Sequence, residues 1–580
     1  MFGALIYANV ILMLLAVLPP GLPTVRPSAT ILVFGTVGLW RWSWAGLHLL
    51  RALIYKRIVF PGFRRAAARA PRPANLYVLI TSYRMAPELN AAVYARLLDE
   101  IAVYGVPAFI VACVTDPADA TVIAHVIERR HDLPEGTALH VAMQAGTGKR
   151  PAMANALRAI MQRRPPPGSQ VVLMDGDTLL GHGALAKTCA VLAAMPHIGA
   201  VTTDNIPLVR GHAITREWYR VRMAHRDSLM ASISLSRKLL VLTGRFSVFR
   251  GDIAASAPFV QAIEQDVVDH PRLGRIEMVT GDDKSTWFTV LQQGWDMLYV
   301  PDVLVHPVEE LPHGGFFKAT TALMLRWYGN MARNNGRALA LGPGRCRWFL
   351  WLCLLDQRLS MWTSLVGPTA AVALSMQHGY VCIIYYLLWV LVTRGAVCLI
   401  YFVTTGRFHP LFPIILYYNQ VVGAWIKIYM MFHPDRQKWT RQAMKRKDGA
   451  GSGGFGQRVS TPYMAATIGA FALGTALFIG ALRDTQRLVP SPGVAALLNA
   501  QVSVHARRDL PHGWACGSGR RPGTNPSQPA SVDSTPCRTS RQLIALPPGA
   551  LQGEGEISEL GVLQDRRGPA FVVTAKEGGE

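Results

Sequence analysis

Two aspartates flank a single glycine directly after an apolar run. The stretch "VVLMDGDTLL", residues 171 to 180, places Asp175 and Asp177 at the end of a predicted buried strand. Side chains alternate along an extended chain, so both carboxylates face one side, and Gly176 lets a ligand approach the backbone. Two like charges so close need a cation or a proton, and Mg²⁺ or Mn²⁺ carrying a phosphate fits carboxylate oxygens. A solvated turn with two acids is the alternative, and the aspartate pair alone does not distinguish it from a metal site.

Two further elements carry aspartates at an end where a site could form. In "VTGDDKSTWF", Asp282 and Asp283 open a predicted helix, where backbone amides surround a carboxylate and a general base can be held. The spacing fits an ordinary helix N-cap with a neighbouring acid equally well. Asp116, in "ACVTDPAD", follows another apolar strand. Three acid-terminated elements in one domain favour a shared site over independent turns.

A basic helix start follows the glycines of "AGTGKRPAMANAL", residues 145 to 157. It is not a Walker phosphate loop, because that pattern needs Gly at 143 and Ser or Thr at 150, where this chain has Met143 and Arg150. Lys149 and Arg150 can still neutralise a phosphate at a helix N-terminus. A solvated basic helix start is the alternative.

Short apolar segments alternate with helical patterns between about 74 and 305. This alternation predicts an α/β domain with parallel strands at the centre of its sheet. Ligands of such sheets bind beyond the C-terminal strand ends, where several of these segments reach polar residues. The predicted strands are "NLYVLITSY", "PAFIVACVTD", "TALHVAMQ", "QVVLMDG", "IGAVTTD", "LVLTGRFSVFR" and "DMLYVPD".

The chain outside this domain is apolar and basic. Half of the 580 residues are hydrophobic although the net charge is +23, which favours a membrane protein over a nucleic-acid-binding one. Runs of near-spanning length cover 3–19, 31–54, 348–376, 380–404, 408–432 and 463–482. A cleaved signal peptide is disfavoured for the first run, which lacks a basic n-region. The scattered cysteines predict neither a zinc site nor a disulfide scaffold.

Charge sets the predicted topology. The stretch around residues 51 to 72 carries cations without an acid, which predicts that the chain beyond residue 55 is cytoplasmic and that this stretch contacts anionic lipid headgroups. The basic segment 433–447 should be cytoplasmic too, so one of the three runs before it does not cross. Asp356 in the first of them and Arg394 in the second mark these two as candidates. The cations of the first stretch are Arg51, Lys56, Arg57, Arg64, Arg65, Arg69 and Arg72.

These patterns predict six regions. They are two transmembrane helices in 1–55, a basic linker in 56–73, an α/β domain in 74–310, interfacial helices in 311–347, a second membrane region in 348–482 with a cytoplasmic loop at 433–460, and a mostly disordered tail in 483–580.

The order of motifs resembles the processive family-2 glycosyltransferases, to which cellulose, chitin and hyaluronan synthases belong. It runs from "ITSYRMAPE" through "GKRPAMANAL", "DGDTLL", "TGRFSVFRG" and "GDDKSTWF" to "RWYGN" before membrane helices. Longer phrases such as "LMLRWYGNMARNNGRALALG" and "LYYNQVVGAWIKIY" resemble more specifically the bacterial alginate-polymerising glycosyltransferases, over about residues 1 to 445.

The resemblance implies a multi-pass protein of the bacterial inner membrane with a GT-A-like, Rossmann-like cytoplasmic domain. It implies inverting transfer from GDP-mannuronate to a growing polymannuronate chain, coupled to export. Asp175 and Asp177 would hold Mg²⁺ or Mn²⁺, and Asp283, beside Asp282, would be the catalytic base. The remaining implied contacts are Ser82, Tyr83, Asp116, Lys149 and Asp175 for the nucleotide sugar, and Thr243, Gly244, Arg326 and Trp327 for the acceptor.

The chain departs from the family at two places. Related synthases carry Q-x-x-R-W, but Leu323 stands where glutamine is expected before Arg326 and Trp327. "KWTR", at 438 to 441, resembles the W-x-T-R element, but the glycine-rich segment beside it does not. The tail carries no cyclic-di-GMP receptor pattern, so the resemblance implies a separate co-polymerase with such a domain, together with periplasmic export proteins.

Arginines near and inside the second membrane region are expected to line the path of a uronate polymer, because its carboxylates cannot cross hydrocarbon without cations. These are Arg333, Arg337, Arg358 and Arg394. Headgroup-level anchors are the alternative for these side chains.

Two other functions of the protein remain open: a related synthase that uses another nucleotide sugar, and a transporter or channel.

Overall fold

The predicted strands assemble into one mixed sheet in the computed structural model of the chain. The structure describes Leu12 and residues 29–436, apart from 147, 271–272, 312–314 and 379–380. Predictions for most of the first apolar run, for 463–482, for "KWTR" and for the tail lie outside the described residues.

Eleven strands are described within these ranges. In chain order they are β1 (Leu76–Thr81), β2 (Ala108–Val114), β3 (Ala138–Met143), β4 (Gln170–Asp175), β5 (Thr178–Leu180), β6 (Ile198–Asn205), β7 (Leu208–Val209), β8 (Phe246–Arg250), β9 (Val267–His270), β10 (Gly274–Glu277) and β11 (Asp296–Glu309). The sheet order is β3-β2-β1-β4-β8-β6-β11-β5, with β7 beside β11, and β9 and β10 pair separately.

The central strand runs against its neighbours. Strands β3, β2, β1 and β4 are parallel, but β8 is antiparallel to both β4 and β6. The prediction of parallel strands at the centre is therefore wrong at β8. Hydrophobic periodicity identifies a buried strand but not its direction, and "FSVFR" fits either one.

The helices are α1 (Ala29–Ile54), α2 (Phe60–Ala67), α3 (Pro87–Tyr104), α4 (Pro117–Glu128), α5 (Lys149–Gln162), α6 (Ala184–Ala194), α7 (Ala213–Ser234), α8 (Gly251–Ala254), α9 (Ala257–Glu264), α10 (Asp282–Gln292), α11 (Phe316–Ala340), α12 (Gly342–Cys346), α13 (Trp348–His378), α14 (Val381–Thr405) and α15 (Phe412–Phe432). A π-helical turn, Tyr55–Val59, joins α1 to α2. Helix α5 packs on β1 and β2, α6 on β6, and α7 on β11. This cover buries β1, β2, β4 and β6 along nearly their whole length.

Two described helices are long and apolar enough to cross a membrane, over Trp348–Met376 and Cys382–Thr405. Helices α13, α14 and α15 pack against one another, α11 packs against α15, and α1 lies along α7. Crossing by the other apolar runs, and a surface position for the start of α13, stay predictions.

Part of the basic stretch binds protein. The ammonium of Lys56 lies 2.7 Å from Oδ2 of Asp227 on α7. The guanidinium of Arg64 binds both carboxylate oxygens of Asp302, with Nε 2.9 Å from Oδ2. These two cations fasten the N-terminal helices to the α/β domain, so the expectation of lipid contact does not hold for them.

Candidate active site

Four carboxylates from distant parts of the chain line one cavity of about 1940 Å³. Asp175 ends β4, Asp177 follows two residues later, and Asp282 and Asp283 begin α10. Strands β1 and β4 are parallel, so their carboxyl ends meet at the same edge, where the Gly176 amide donates to the Thr81 carbonyl oxygen over 3.0 Å. The sheet edge thus gathers the acids into one site.

Lys149 bridges two of these acids. Its ammonium lies 2.6 Å from Oδ1 of Asp175 and 2.7 Å from Oδ2 of Asp282. Burial alone would lower the pKa of Lys149, but the two carboxylates raise it well above its ordinary value. The lysine is therefore a fixed cation at the start of α5, and the solvated-helix alternative is wrong for it.

Arg150 points elsewhere. Its buried guanidinium donates to the carbonyl oxygens of Ile263 and Thr280, at 3.0 and 3.2 Å, and to Ser285 Oγ at 2.7 Å. It does not line the cavity. The expectation that it neutralises phosphate is wrong, because these contacts fix it in the packing between α5, α9 and α10.

The two aspartates of α10 differ in their electrostatics. Gly281 is the N-cap, with φ of 84°, so the N-cap alternative is wrong for both. Burial would raise the pKa of Asp282, but Lys149 lowers it below its ordinary value. Burial and the charge of Asp282 raise the pKa of Asp283, whose Oδ1 accepts from the Lys284 amide over 2.8 Å. Asp282 is held ionised, and Asp283 is the better proton acceptor.

Asp177 lies beside a second ion pair. Its carbonyl oxygen accepts from the Val308 amide at 2.7 Å, and Arg245 pairs with the neighbouring Glu309. Burial raises the pKa of Asp177 to about 7, with Asp175 and Glu309 adding to the shift. A cation bound beside Asp175 and Asp177 would relieve this repulsion.

The carboxylates of Asp175 and Asp177 could supply some, but not all, of the ligands of a metal ion. Across the described ranges, no group of three or more His, Cys, Asp and Glu residues is arranged to hold a metal ion. Asp175 and Asp177 supply hard oxygen ligands in a site that also holds Lys149, which suits a metal that keeps water or phosphate oxygens as its other ligands. The pair thus fits a diphosphate-bound Mg²⁺ or Mn²⁺ rather than a closed metal site.

At two glycines an added Cβ would crowd the neighbouring atoms. A Cβ on Gly244 would lie 3.2 Å from Lys149 Nζ, 3.3 Å from Asp282 Oδ2 and 3.4 Å from Asp175 Oδ2. A Cβ on Gly176 would lie 2.2 Å from Ser82 Oγ. Ser82 occupies the space that a side chain at residue 176 would need, and Gly176 itself lines the cavity, whereas Gly244 faces the charged cluster directly.

The other residues implied by the resemblance, with the exception of Asp116, line the cavity. Ser82, Tyr83, Thr243, Arg326 and Trp327 line it. The Thr243 hydroxyl is buried and lies 3.2 Å from that of Thr202. Asp116 is exposed and is not among the lining residues; its Oδ1 accepts from the Ala118 amide over 2.9 Å and caps α4. Its neighbour Thr115 does line the cavity.

The α11 motif contributes an aromatic cluster. Trp327 stacks on Trp218 of α7 with ring centroids 5.6 Å apart and planes 18° apart, and meets Tyr219 edge-on at 6.1 Å. Leu323, in the place of the family's glutamine, is buried in the core formed by α7, α11, α14 and α15. Leu323 also lines the cavity, so this position presents an apolar side chain where the family has a glutamine.

Only one of the four arginines expected along a polymer path lines the cavity, namely Arg394. Arg333 is buried and donates to the Pro434 carbonyl at 3.0 Å, Arg337 pairs with Asp266 at 2.7 Å, and Arg358 donates to the Ala332 carbonyl at 2.8 Å. Those three expectations are wrong, because the three guanidinium groups are used in packing around α11.

Several cavity-lining residues were not predicted. They include Arg41, Arg222, Arg226, Arg245, Glu309 and Lys427. Glu309 ends β11, so the rule that identified Asp175 would have found it had β11 been predicted to its full length. Arg222, on a long amphipathic helix, carries no such signal.

Comparison with known proteins finds glycosyltransferases that are similar to this chain in sequence and structure. A family model described as "Glycosyltransferase like family 2" matches residues 71–330. "Glycosyltransferase alg8" of Pseudomonas syringae pv. tomato is 38% identical over 446 residues, 76% of this chain and 90% of that protein. The protein of the same name from Azotobacter vinelandii is 37% identical over the same shares. A solved mannosyltransferase from Pyrobaculum calidifontis, in complex with GDP-Man and Mn²⁺, is similar with a TM-score of 0.39 and 16% identity, over 66% of this chain and 98% of that one.

Proposed function

Since the chain belongs to the family-2 glycosyltransferases, with relatives named glycosyltransferase Alg8 at 37–38% identity, we propose that it polymerises GDP-mannuronate into polymannuronate. The observation that carries this proposal is the single cavity in which the acids of the α/β domain and residues of α13 and α14 take part together. A site of transfer that opens towards apolar helices suits an enzyme that elongates a chain and passes it on.

The residues divide the reaction between them. Asp175 and Asp177 would hold Mg²⁺ or Mn²⁺, which when bound would neutralise the leaving diphosphate. Lys149 adds a fixed positive charge at the same place, and Ser82 and Tyr83, which line the cavity, are proposed to contact the nucleoside. Asp116, which caps α4 outside the cavity wall, is given no role. Asp283 accepts the proton of the acceptor hydroxyl, which is a poor nucleophile without a base. Attack from the face opposite the leaving group inverts the anomeric centre.

Passage of the product is part of the proposal. The cavity wall includes Tyr386, Val390 and Arg394 of α14, one of the two helices in the described part of the chain that could span a membrane. We therefore place the enzyme in the bacterial inner membrane with its α/β domain in the cytoplasm. A co-polymerase with a cyclic-di-GMP-binding domain and periplasmic export proteins are proposed partners, on the family resemblance.

The test is a panel of nucleotide sugars. Membranes containing the full chain receive, in separate reactions, radiolabelled GDP-mannuronate, GDP-mannose, UDP-glucose, UDP-glucuronate and UDP-N-acetylglucosamine, and polymer is measured. Polymer from GDP-mannuronate alone is expected, and membranes carrying Asp283→Asn serve as the control. Polymer from a UDP-linked sugar and none from GDP-mannuronate would replace the proposal by a related synthase activity.

A further inference from the structure

Some cations that line the cavity are paired with acids and others are not. Lys149 pairs with Asp175 and Asp282, and Arg245 with Glu309. Arg222 of α7, Arg394 of α14 and Lys427 of α15 also line the cavity. Among the residues that the structure describes, none of these three forms an ion pair. Unpaired cations in a partly apolar cavity cost free energy unless a ligand neutralises them.

Arg222 is held on an aromatic platform. Its guanidinium carbon lies 4.2 Å from the centre of the Trp327 ring and 4.8 Å from that of Trp218, and these two rings stack on each other. Contact with ring faces and a hydrogen bond to the Tyr328 side chain orient the guanidinium without neutralising it. Its Nε is buried without a hydrogen-bond partner, so the group retains both a positive charge and a free donor for an anion.

Lys427 lies on the same tyrosine as Arg222. The Lys427 ammonium is 4.8 Å from the centre of the Tyr328 ring, and the Arg222 guanidinium carbon is 6.0 Å from it. Burial would raise the pKa of Tyr328, but the charges of Lys427 and Arg222 lower it below its ordinary value. The two cations therefore create one region of positive potential around the phenol.

This region is joined to the transfer site by a chain of contacts. The Asp177 carbonyl oxygen accepts from Val308, Glu309 follows it, and the Tyr219 hydroxyl donates to Glu309 at 3.2 Å. Tyr219 then meets Trp327, which carries Arg222. Packing and hydrogen bonds therefore connect Arg222 to the end of β11 that carries Glu309.

We propose that Arg222 and Lys427, together with the Tyr328 hydroxyl, form a subsite that binds the carboxylate of a uronate unit in the growing chain. The subsite rests on the proposed function and adds a determinant of acceptor specificity to it. A carboxylate matches the guanidinium and ammonium donors in charge and geometry, whereas a neutral hexose chain would leave both cations unpaired.

The experiment compares two ligands that differ only in charge. The full chain, in nanodiscs of zwitterionic lipid so that no anionic headgroup competes, is titrated with a short oligomannuronate and with its carboxyl-reduced, neutral counterpart. The wild type is expected to bind the charged oligomer about tenfold more tightly, as expected for one or two charge-assisted contacts. Arg222→Gln and Lys427→Gln are expected to lose this preference, and Arg222→Lys to keep part of it.

Arg220→Gln is the matched control, since Arg220 lies on the exposed side of α7 and pairs with Glu217 at 2.7 Å. Unchanged GDP affinity shows that each variant is folded, and Lys427→Gln tests the subsite if Arg222→Gln fails this check. Equal binding of both oligomers by the wild type, or a preference that survives Arg222→Gln and Lys427→Gln, would overturn the inference. Transfer from GDP-mannuronate would still stand in that case, because the panel of donors decides it separately.

Discussion

The ammonium of Lys149 donates a 2.6 Å hydrogen bond to Oδ1 of Asp175, and the same ammonium holds Asp282 at 2.7 Å. One lysine at a helix start thus links the acid that ends β4 with the acid that begins α10. The link sets both the charge and the spacing of the site before a substrate arrives.

Replacing Lys149 should weaken donor binding. In Lys149→Met, Asp175 and Asp282 lose their shared cation and repel a diphosphate, so GDP affinity is expected to fall about tenfold or more. Isothermal titration of the purified chain with GDP measures it. Lys187→Met, at an exposed position on α6, is the control. Wild-type GDP affinity in Lys149→Met would refute the role given to the lysine.

Asp283→Asn should abolish polymer formation. Loss of a catalytic base costs several kcal/mol of transition-state stabilisation, which is about a hundredfold or more in rate. Polymer yield from membranes, with protein insertion checked by immunoblot, is the measurement. Normal yield would exclude Asp283 as the base.

The rate should also depend on pH through Asp283. A base works only when deprotonated, and the raised pKa of Asp283 moves the acid limb of the rate profile above the ordinary range of an aspartate. The wild-type rate is therefore expected to fall as the pH decreases through that pKa. The residual rate of Asp283→Asn should keep only the limb set by Asp177, whose pKa is raised to about 7. A limb of the same midpoint in both proteins would assign it to another group.

Gly244→Ala should impair transfer without unfolding the chain. The added methyl group would lie 3.2 Å from Lys149 Nζ and 3.3 Å from Asp282 Oδ2, so these two side chains must shift by a few tenths of an ångström, and it would contact Asp175 Oδ2 at 3.4 Å. The transfer rate should fall while thermal stability changes little. Gly62→Ala, whose added Cβ meets nothing within 4 Å, is the control. Equal rates for the two variants would contradict the assigned geometry.

Metal removal should stop transfer reversibly. Chelation is expected to abolish polymer formation, and Mn²⁺ or Mg²⁺ to restore it. Mn²⁺ binding in the presence of GDP, followed by electron paramagnetic resonance, should be lost in Asp175→Asn and Asp177→Asn and kept in Asp283→Asn. Equal Mn²⁺ binding by all three variants would place the metal elsewhere.

Sequence patterns located the elements of the α/β domain better than their directions. An apolar run that ends in an acid identified Asp175, because a buried strand ends abruptly where a site begins, and a predicted helix start identified Asp282. The same strand-end rule also selected Asp116, which caps α4 and does not line the cavity. The reversed direction of β8 left no trace in its periodicity. Nor could the sequence separate Lys149, which faces the acids, from Arg150, which packs beneath them, since neighbouring helical residues point in different directions and only the packing shows which one reaches the site.

The cations of the cavity were the hardest to predict. Arg333, Arg337 and Arg358 lie in or beside apolar stretches as Arg394 does, yet only Arg394 reaches the cavity. Arg222 and Lys427 reach it from helices that meet only in the folded chain. Which face of each helix borders the cavity depends on how α7, α11, α14 and α15 pack together, and that is not encoded in any single helix.

The central claim is that the protein polymerises a uronate and passes the product along one cavity. Its most direct test uses inside-out membrane vesicles that contain the full chain and its export partners. They are supplied with labelled GDP-mannuronate, and the product is then exposed to an added mannuronate lyase. We expect labelled polymannuronate that the external enzyme cannot digest until detergent opens the vesicles. Labelled polymer that is fully digested without detergent, or no polymer from GDP-mannuronate at all, would contradict this proposal.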